Sequence, residues 1–205
     1  MTFLLTYQTP RRILAVSDLQ LTFPLPDKTA IKTFITEKFR TNQEGNLLAY
    51  HGRMKLEELQ TFETTTLTTL TQQAFSTLPN IRKDLANQIL AIDMNNAQAY
   101  QGDSEHPLTP TPPYNFSSCG LTPDRFMTLH EKITEGLPEE PSRKDLERMA
   151  LQIEFFLLEE EKTNETIGGC ISYLIQPGKK RVYRKTLGKL QGLPEAVWDH
   201  GRLVY

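Results

Sequence analysis

Three residues near the start of the chain could together do hydrolytic chemistry: Thr2, directly behind Met1, then Asp18, then Lys32. A small residue at position 2 normally allows removal of the initiator methionine, so the mature chain is expected to begin at Thr2. Such a threonine carries both a hydroxyl nucleophile and a free α-amine that can act as its own base. The amine has an ordinary pKa of roughly 7.7–8.0, so a good fraction is unprotonated near neutral pH and can take the hydroxyl proton. Threonine at position 2 is also common in chains with no such chemistry. The reading therefore depends on what the fold brings beside it.

Other routes to chemistry are weaker. Cys119 and Cys170 are the only cysteines, they have no paired spacing, and the chain has four histidines, which supports neither a disulfide framework nor a zinc site. Both read as buried free thiols in a reducing compartment. No histidine is placed by the sequence to activate Cys119. Glu165-Thr166-Ile167-Gly168 faintly resembles the cleavage point of self-processing asparaginase-like hydrolases, but the forty residues from Thr166 onward are too few to build half of a two-sheet sandwich.

The 205 residues carry 23 basic and 25 acidic side chains for a net charge of -2, and neither sign forms a long block, so neither nucleic acid nor an anionic membrane is expected as partner. The run Lys179, Lys180, Arg181, Arg184, Lys185 is interrupted by Val182 and Tyr183 and reads as a solvated strand face. No apolar stretch approaches the ~20 residues of a membrane span, and no secretory leader is visible. The expectation is a soluble, untargeted, cytoplasmic protein with no cofactor. The length suggests one domain covering residues 1–205, large enough to bury roughly 70% of its unfolded surface.

These residues must be positioned by a particular order of elements. Strands are expected over Phe3–Tyr7, Ile13–Val16, Leu19–Phe23, Ile31–Phe39 and Asn46–Tyr50, the last two separated by the turn Asn42-Gln43-Glu44-Gly45. From Lys55 the apolar period becomes helical, and Leu56, Leu59, Phe62, Leu67, Leu70 and Ala74 predict one long helix ending before Pro79. Seven threonines make that helix depend on packing rather than propensity. Gln88–Ile92 and Gln98–Gln101 form a hairpin through Asn95-Asn96, the proline-rich segment 103–113 is irregular, and Tyr114–Ser118 is extended.

Thr122-Pro123 starts a helix that reaches about Glu135, and Ser142 starts another with the stripe Leu146, Met149, Ala150, Ile153, Phe156, Leu157. Cys170–Ile175 and Arg181–Lys185 close the pattern as a hairpin across Pro177-Gly178. Two antiparallel sheets face to face, with helices on both outer faces, satisfy every apolar side: an α+β, four-layer αββα sandwich.

On these residues the chain resembles the proteasome β-subunit family and its bacterial two-component protease relative, both N-terminal nucleophile hydrolases. Ile13-Leu14-Ala15-Val16-Ser17-Asp18 matches the family's apolar-Ala-apolar-Ser/Ala-Asp pattern, with Asp18 sixteen residues after Thr2. Thr29-Ala30-Ile31-Lys32 looks like the segment of the active-site lysine, whose charge would lower the pKa of the threonine hydroxyl or amine. Gly52, after Leu47-Leu48-Ala49-Tyr50-His51, resembles the glycine whose N–H forms the oxyanion hole. Gly168-Gly169 resembles the paired glycines that close the site, and Ser118 in Ser117-Ser118-Cys119-Gly120 would stand in for the family's serine.

Departures accompany the match. Asn164 and Ile167 occupy the places of an aspartate and a serine, and the Asp-Ser-Arg tripeptide becomes Asp18-Leu19-Gln20. The resemblance implies a threonine-type peptidase or amidase acting on a peptide or protein substrate, assembly into a homo-oligomeric ring, and an ATP-dependent unfoldase as partner. The departures leave open an inactive scaffold that assembles into rings or binds protein partners.

Overall fold

A strand buried on both faces reads as an unbroken apolar run, and Ile13–Ser17, in which every residue is buried, is such a strand. The computed structural model of the chain describes residues 3–24, 31–35, 37–52, 54–82, 87–163, 167–186, 197–199 and 202–204. In chain order the first half consists of β1 Leu4–Gln8, β2 Ile13–Ser17, β3 Gln20–Pro24, β4 Ile31–Ile35, β5 Arg40–Thr41, β6 Leu47–His51, and the helices α1 Leu56–Thr64 and α2 Leu67–Gln72. The second half consists of β7 Gln88–Asp93, β8 Gln98–Asp103, β9 Thr109–Pro110, β10 Phe116–Cys119, α3 Pro123–Thr134, α4 Arg143–Glu160, β11 Cys170–Gln176, β12 Lys179–Thr186, β13 Val197–Asp199 and β14 Arg202–Val204.

Two five-stranded antiparallel sheets, ordered β10-β1-β2-β11-β12 and β5-β6-β7-β8-β9, are joined by helices into a four-layer αββα sandwich. Alternation along each strand sorts the apolar residues. Ile13, Ala15, Ile171 and Tyr173 pack between the sheets against Leu47, Ala49, Leu90 and Ile92. Leu14 and Val16 point the other way, onto Leu129 and Ile133 of α3 and Met149, Ile153 and Leu157 of α4. Leu48, Ile89 and Ala91 of the second sheet cover Phe62, Leu67 and Leu70 of α1 and α2. Gln8 ties the sheets together: its Oε1 accepts from Ala99 N at 2.7 Å and its Nε2 donates to Ala97 O at 2.9 Å. All six residues of the expected α4 stripe are buried, and Ser142 and Asp145 close a capping box at its start.

Two expectations are corrected. The single helix from Lys55 is two helices and a 3-10 turn, Phe75–Thr77, broken at Thr65 and Thr66. Threonine hydroxyls compete for backbone groups there: Thr65 Oγ1 donates to Thr61 O at 2.6 Å, and Thr66 Oγ1 accepts from Thr69 N to cap α2. The turn before β6 satisfies the break, with Asn42 Nδ2 donating to Thr65 O and Glu44 Oε2 accepting from Leu67 N. Likewise the expected strand Ile31–Phe39 is shorter, and the next strand lies beyond it. β4 ends at Ile35 and β5 begins at Arg40, because Phe39 turns into the core between the sheets while Lys38 turns toward Asp18.

The first helix is fixed by a buried acid. Glu58 Oε2 accepts from Lys55 N at 2.7 Å, and Oε1 accepts from Arg82 Nε at 2.7 Å and Arg82 N at 3.2 Å. The Arg82 hydrogen bonds hold the Glu58 carboxyl down to about 2. A folded-state pKa below the unfolded value contributes stability that is present above the unfolded value and lost as pH falls. Glu58→Ala is therefore expected to cost about 2 kcal/mol at pH 7, the worth of a buried charged hydrogen-bond set. The difference should shrink between pH 4.5 and 2 in urea titrations, and a pH-independent difference would contradict it.

Candidate active site

The loop between β2 and β3 gathers the polar groups. Asp18 follows the last residue of β2 and is fully buried. Its Oδ1 accepts from Phe3 N at 2.7 Å, and its Oδ2 accepts from Gln20 N at 3.1 Å. Asp18 N in turn donates to Phe3 O at 3.2 Å, so the carboxylate is bolted to the residue that follows position 2. Lys38 Nζ lies 3.9 Å from Asp18 Oδ2 and donates a short hydrogen bond to Gln20 O. Lys38 is itself buried.

Burial sets the electrostatics. It pushes the Asp18 carboxyl up to about 6, against the opposing pull of Lys38 and the two amide donors. It pushes the Lys38 ammonium down, against the pull of Asp18. Burial thus works against the charged form of each group, and each charge opposes that for its partner. His51, half-buried at the end of β6, is also held below its ordinary pKa, chiefly by burial, with the charge of Lys38 a lesser contribution.

The glycines match close approaches. Gly52 has φ +140°, and a Cβ there would overlap Asn87 Oδ1 and lie 2.6 Å from Asn87 Cγ. Asn87 is fixed in turn: Ser104 Oγ accepts from Asn87 N at 3.1 Å, and Asn87 O accepts from Ser104 N at 2.8 Å. Gly168 O accepts from Leu19 N at 2.9 Å, which seats the paired glycines against the Asp18 loop. A Cβ on Gly168 would overlap Gln20 Oε1.

Not every sequence candidate comes together. Thr2 lies outside the described residues, as does the side chain of Lys32. The backbone of Lys32 is opposite Phe23 in the β3–β4 hairpin, three register steps from the Gln20–Ile35 pair beside Asp18, or about 10 Å along the strand. Among the described residues the cation at Asp18 is Lys38, which sequence reasoning passed over. A signal was present: Glu37 and Lys38 put two adjacent charges inside an expected strand, which a buried strand tolerates only if a charge finds a partner.

Ser118 is opposite Leu5 on β10, while Asp18 follows β2. Those strands flank β1 on opposite sides, about 10 Å apart, so Ser118 does not reach the Asp18 carboxylate. Ile167, where the resemblance looks for a serine, is buried in the core beneath α3 and α4. Burial pushes the Cys119 thiol up to about 12, which leaves it unreactive at neutral pH. No helix among the described residues is long and apolar enough to cross a membrane. Compared with known proteins, the sequence matches no family model and no curated protein.

Proposed function

We propose that the chain is a threonine-type N-terminal nucleophile hydrolase acting on peptide or other amide bonds, with Thr2 as nucleophile once Met1 is removed. One observation carries the reading: a fully buried Asp18 that accepts from Phe3 N and pairs with Lys38. Burying a carboxylate and an ammonium together is expensive and does not by itself favour folding, so their placement one residue from the nucleophile points to function.

In the proposed reaction the Thr2 α-amine takes the hydroxyl proton as Oγ adds to the substrate carbonyl. The positive field of Lys38 disfavours a second cation nearby and so keeps the amine unprotonated at neutral pH. Gly52 N–H is assigned to receive the developing oxyanion. The amine then passes its proton to the leaving nitrogen, the C–N bond breaks, and an ester to Thr2 remains. Water, deprotonated by the same amine, hydrolyses that ester and restores the hydroxyl. Lys38 takes the role that the sequence offered to Lys32. The proteasome-like resemblance extends the proposal to ring assembly and an unfoldase partner.

A second reading has its own support. Ile167 is packed in the core and Asn164 stands where the family has aspartate, which favours an inactive scaffold of the same fold. Intact mass and a peptide β-lactone separate the two. The hydrolase is expected to begin at Thr2 and to gain one acyl adduct, lost completely in Thr2→Ala. A retained Met1, or an adduct that persists in Thr2→Ala, rejects the reading.

A further inference from the structure

Lys38 is held on Asp18 by something beyond the pair itself. The residues on either side of it, Glu37 and Phe39, both fasten to Tyr173 of β11. Tyr173 Oη donates to Glu37 Oε2 at 2.8 Å, and the Phe39 ring meets the Tyr173 ring edge-on with centroids 6.0 Å apart at 81°. Tyr173 is fully buried between the sheets, opposite Ala15 of β2, and sits at an irregularity in the β11–β12 ladder between Ser172 and Tyr173. One rigid side chain thus fastens both neighbours of Lys38, and Lys38 extends instead to Gln20 O and the Asp18 carboxylate.

Cations surround the far end of the tether. Lys185 Nζ is 3.6 Å from Glu37 Oε1, and Lys180 Nζ lies 4.4 Å from the centre of the Tyr173 ring. Glu37 thus has a cation of its own in Lys185. Arg40, two residues on, faces Glu63 of α1 at 4.0 Å and adds positive charge near Lys38.

We propose that Tyr173 is a positioning residue, which acts through Glu37 and Phe39 to hold the Lys38 ammonium on the Asp18 carboxylate. Its bearing on catalysis rests on the hydrolase reading; its bearing on the ion pair does not. A tyrosine hydroxyl bound to a carboxylate fixes the loop in one place, which a flexible four-carbon lysine stem cannot do for itself.

The test is a carbon-13 NMR titration of the Asp18 carboxyl in the full chain, with Tyr173→Phe, Glu37→Ala and Glu37→Gln compared to the parent. With the hydroxyl gone, Lys38 moves away and the Asp18 midpoint is expected to rise by about 1 pH unit, the low end of what a nearby cation supplies. Glu37→Ala cuts the same tether from its loop end, carries the test if Tyr173→Phe does not fold, and should give the same rise. Glu37→Gln keeps an acceptor for the hydroxyl and should restore the parent midpoint. Unchanged midpoints in Tyr173→Phe and Glu37→Ala, with only a lower melting temperature, would overturn the proposal. Acylation by a peptide β-lactone is read on the same samples, with at least a tenfold slower adduct expected in Tyr173→Phe. A parent that takes no adduct counts against the hydrolase reading, while the titration still decides the tether.

Discussion

Lys38→Met is expected to destabilise the protein by about 3 kcal/mol at pH 8 and by less than about 1 kcal/mol at pH 5. Methionine replaces the stem of the lysine but not its charge, so the fully buried Asp18 loses its cation and keeps only the Phe3 and Gln20 amides. Removing one partner of a buried pair typically costs about 3–5 kcal/mol, and the two remaining donors place this case at the low end. The pH dependence follows from the sign of the shift. Burial has raised the Asp18 carboxyl from an ordinary 3.8 to about 6. A carboxyl raised on folding contributes most to stability in its protonated form, and that contribution is lost as pH rises through the folded value. Without Lys38 the folded value rises further, so the added cost accumulates between pH 6 and 8 and is nearly absent at pH 5, where the acid is protonated in both proteins. Urea denaturation at the two pH values measures it. A cost equal at both would mean that Lys38 matters for its packing and not for its charge. On the hydrolase reading the same variant should also slow acylation of Thr2 by roughly 100-fold, the scale of about 2.7 kcal/mol in a barrier.

Gly52→Ala is expected to cost about 3 kcal/mol and to abolish turnover of any peptide that the parent cleaves. Two separate penalties combine. A φ of +140° is open to glycine and strained for alanine, by roughly 1–3 kcal/mol. The new methyl would also collide with the Asn87 side chain, and Asn87 has little room to withdraw because its backbone is held by Ser104 on both sides. The two penalties can be separated. Asn87→Ala removes the obstacle but not the strain, so the double variant should be more stable than the sum of the single changes predicts, by about 1 kcal/mol. Strict additivity would mean that the collision costs nothing and that strain is the whole effect. Loss of turnover follows from the proposed role of the Gly52 N–H, since a φ shifted to suit alanine re-aims that donor.

Much of the layering was legible in the sequence because it is written in periodicity. Ile13-Leu14-Ala15-Val16 is apolar on both sides, which only a strand sandwiched between two layers allows, and the α4 stripe from Leu146 to Leu157 repeats at helical spacing. Asp18 was legible as well, since an acid closing such a strand must find donors and the nearest are in adjacent backbone. The helix break at Thr65 was harder to see. The apolar stripe runs through it, and only the hydroxyl bonds and the reach of Asn42 and Glu44 from another element decide against continuation.

The choice of lysine shows where sequence stops. Lys32 and Lys38 both follow Asp18 closely along the chain, and a lysine stem is long enough to reach across a loop. Local pattern marks the acid, the glycines and the order of elements along the chain, because these answer to backbone geometry and periodicity within a few residues. That Lys38 meets the acid depends on Tyr173, 135 residues after it, which fastens Glu37 and Phe39. That is a long-range packing fact, settled only when the two sheets close on each other.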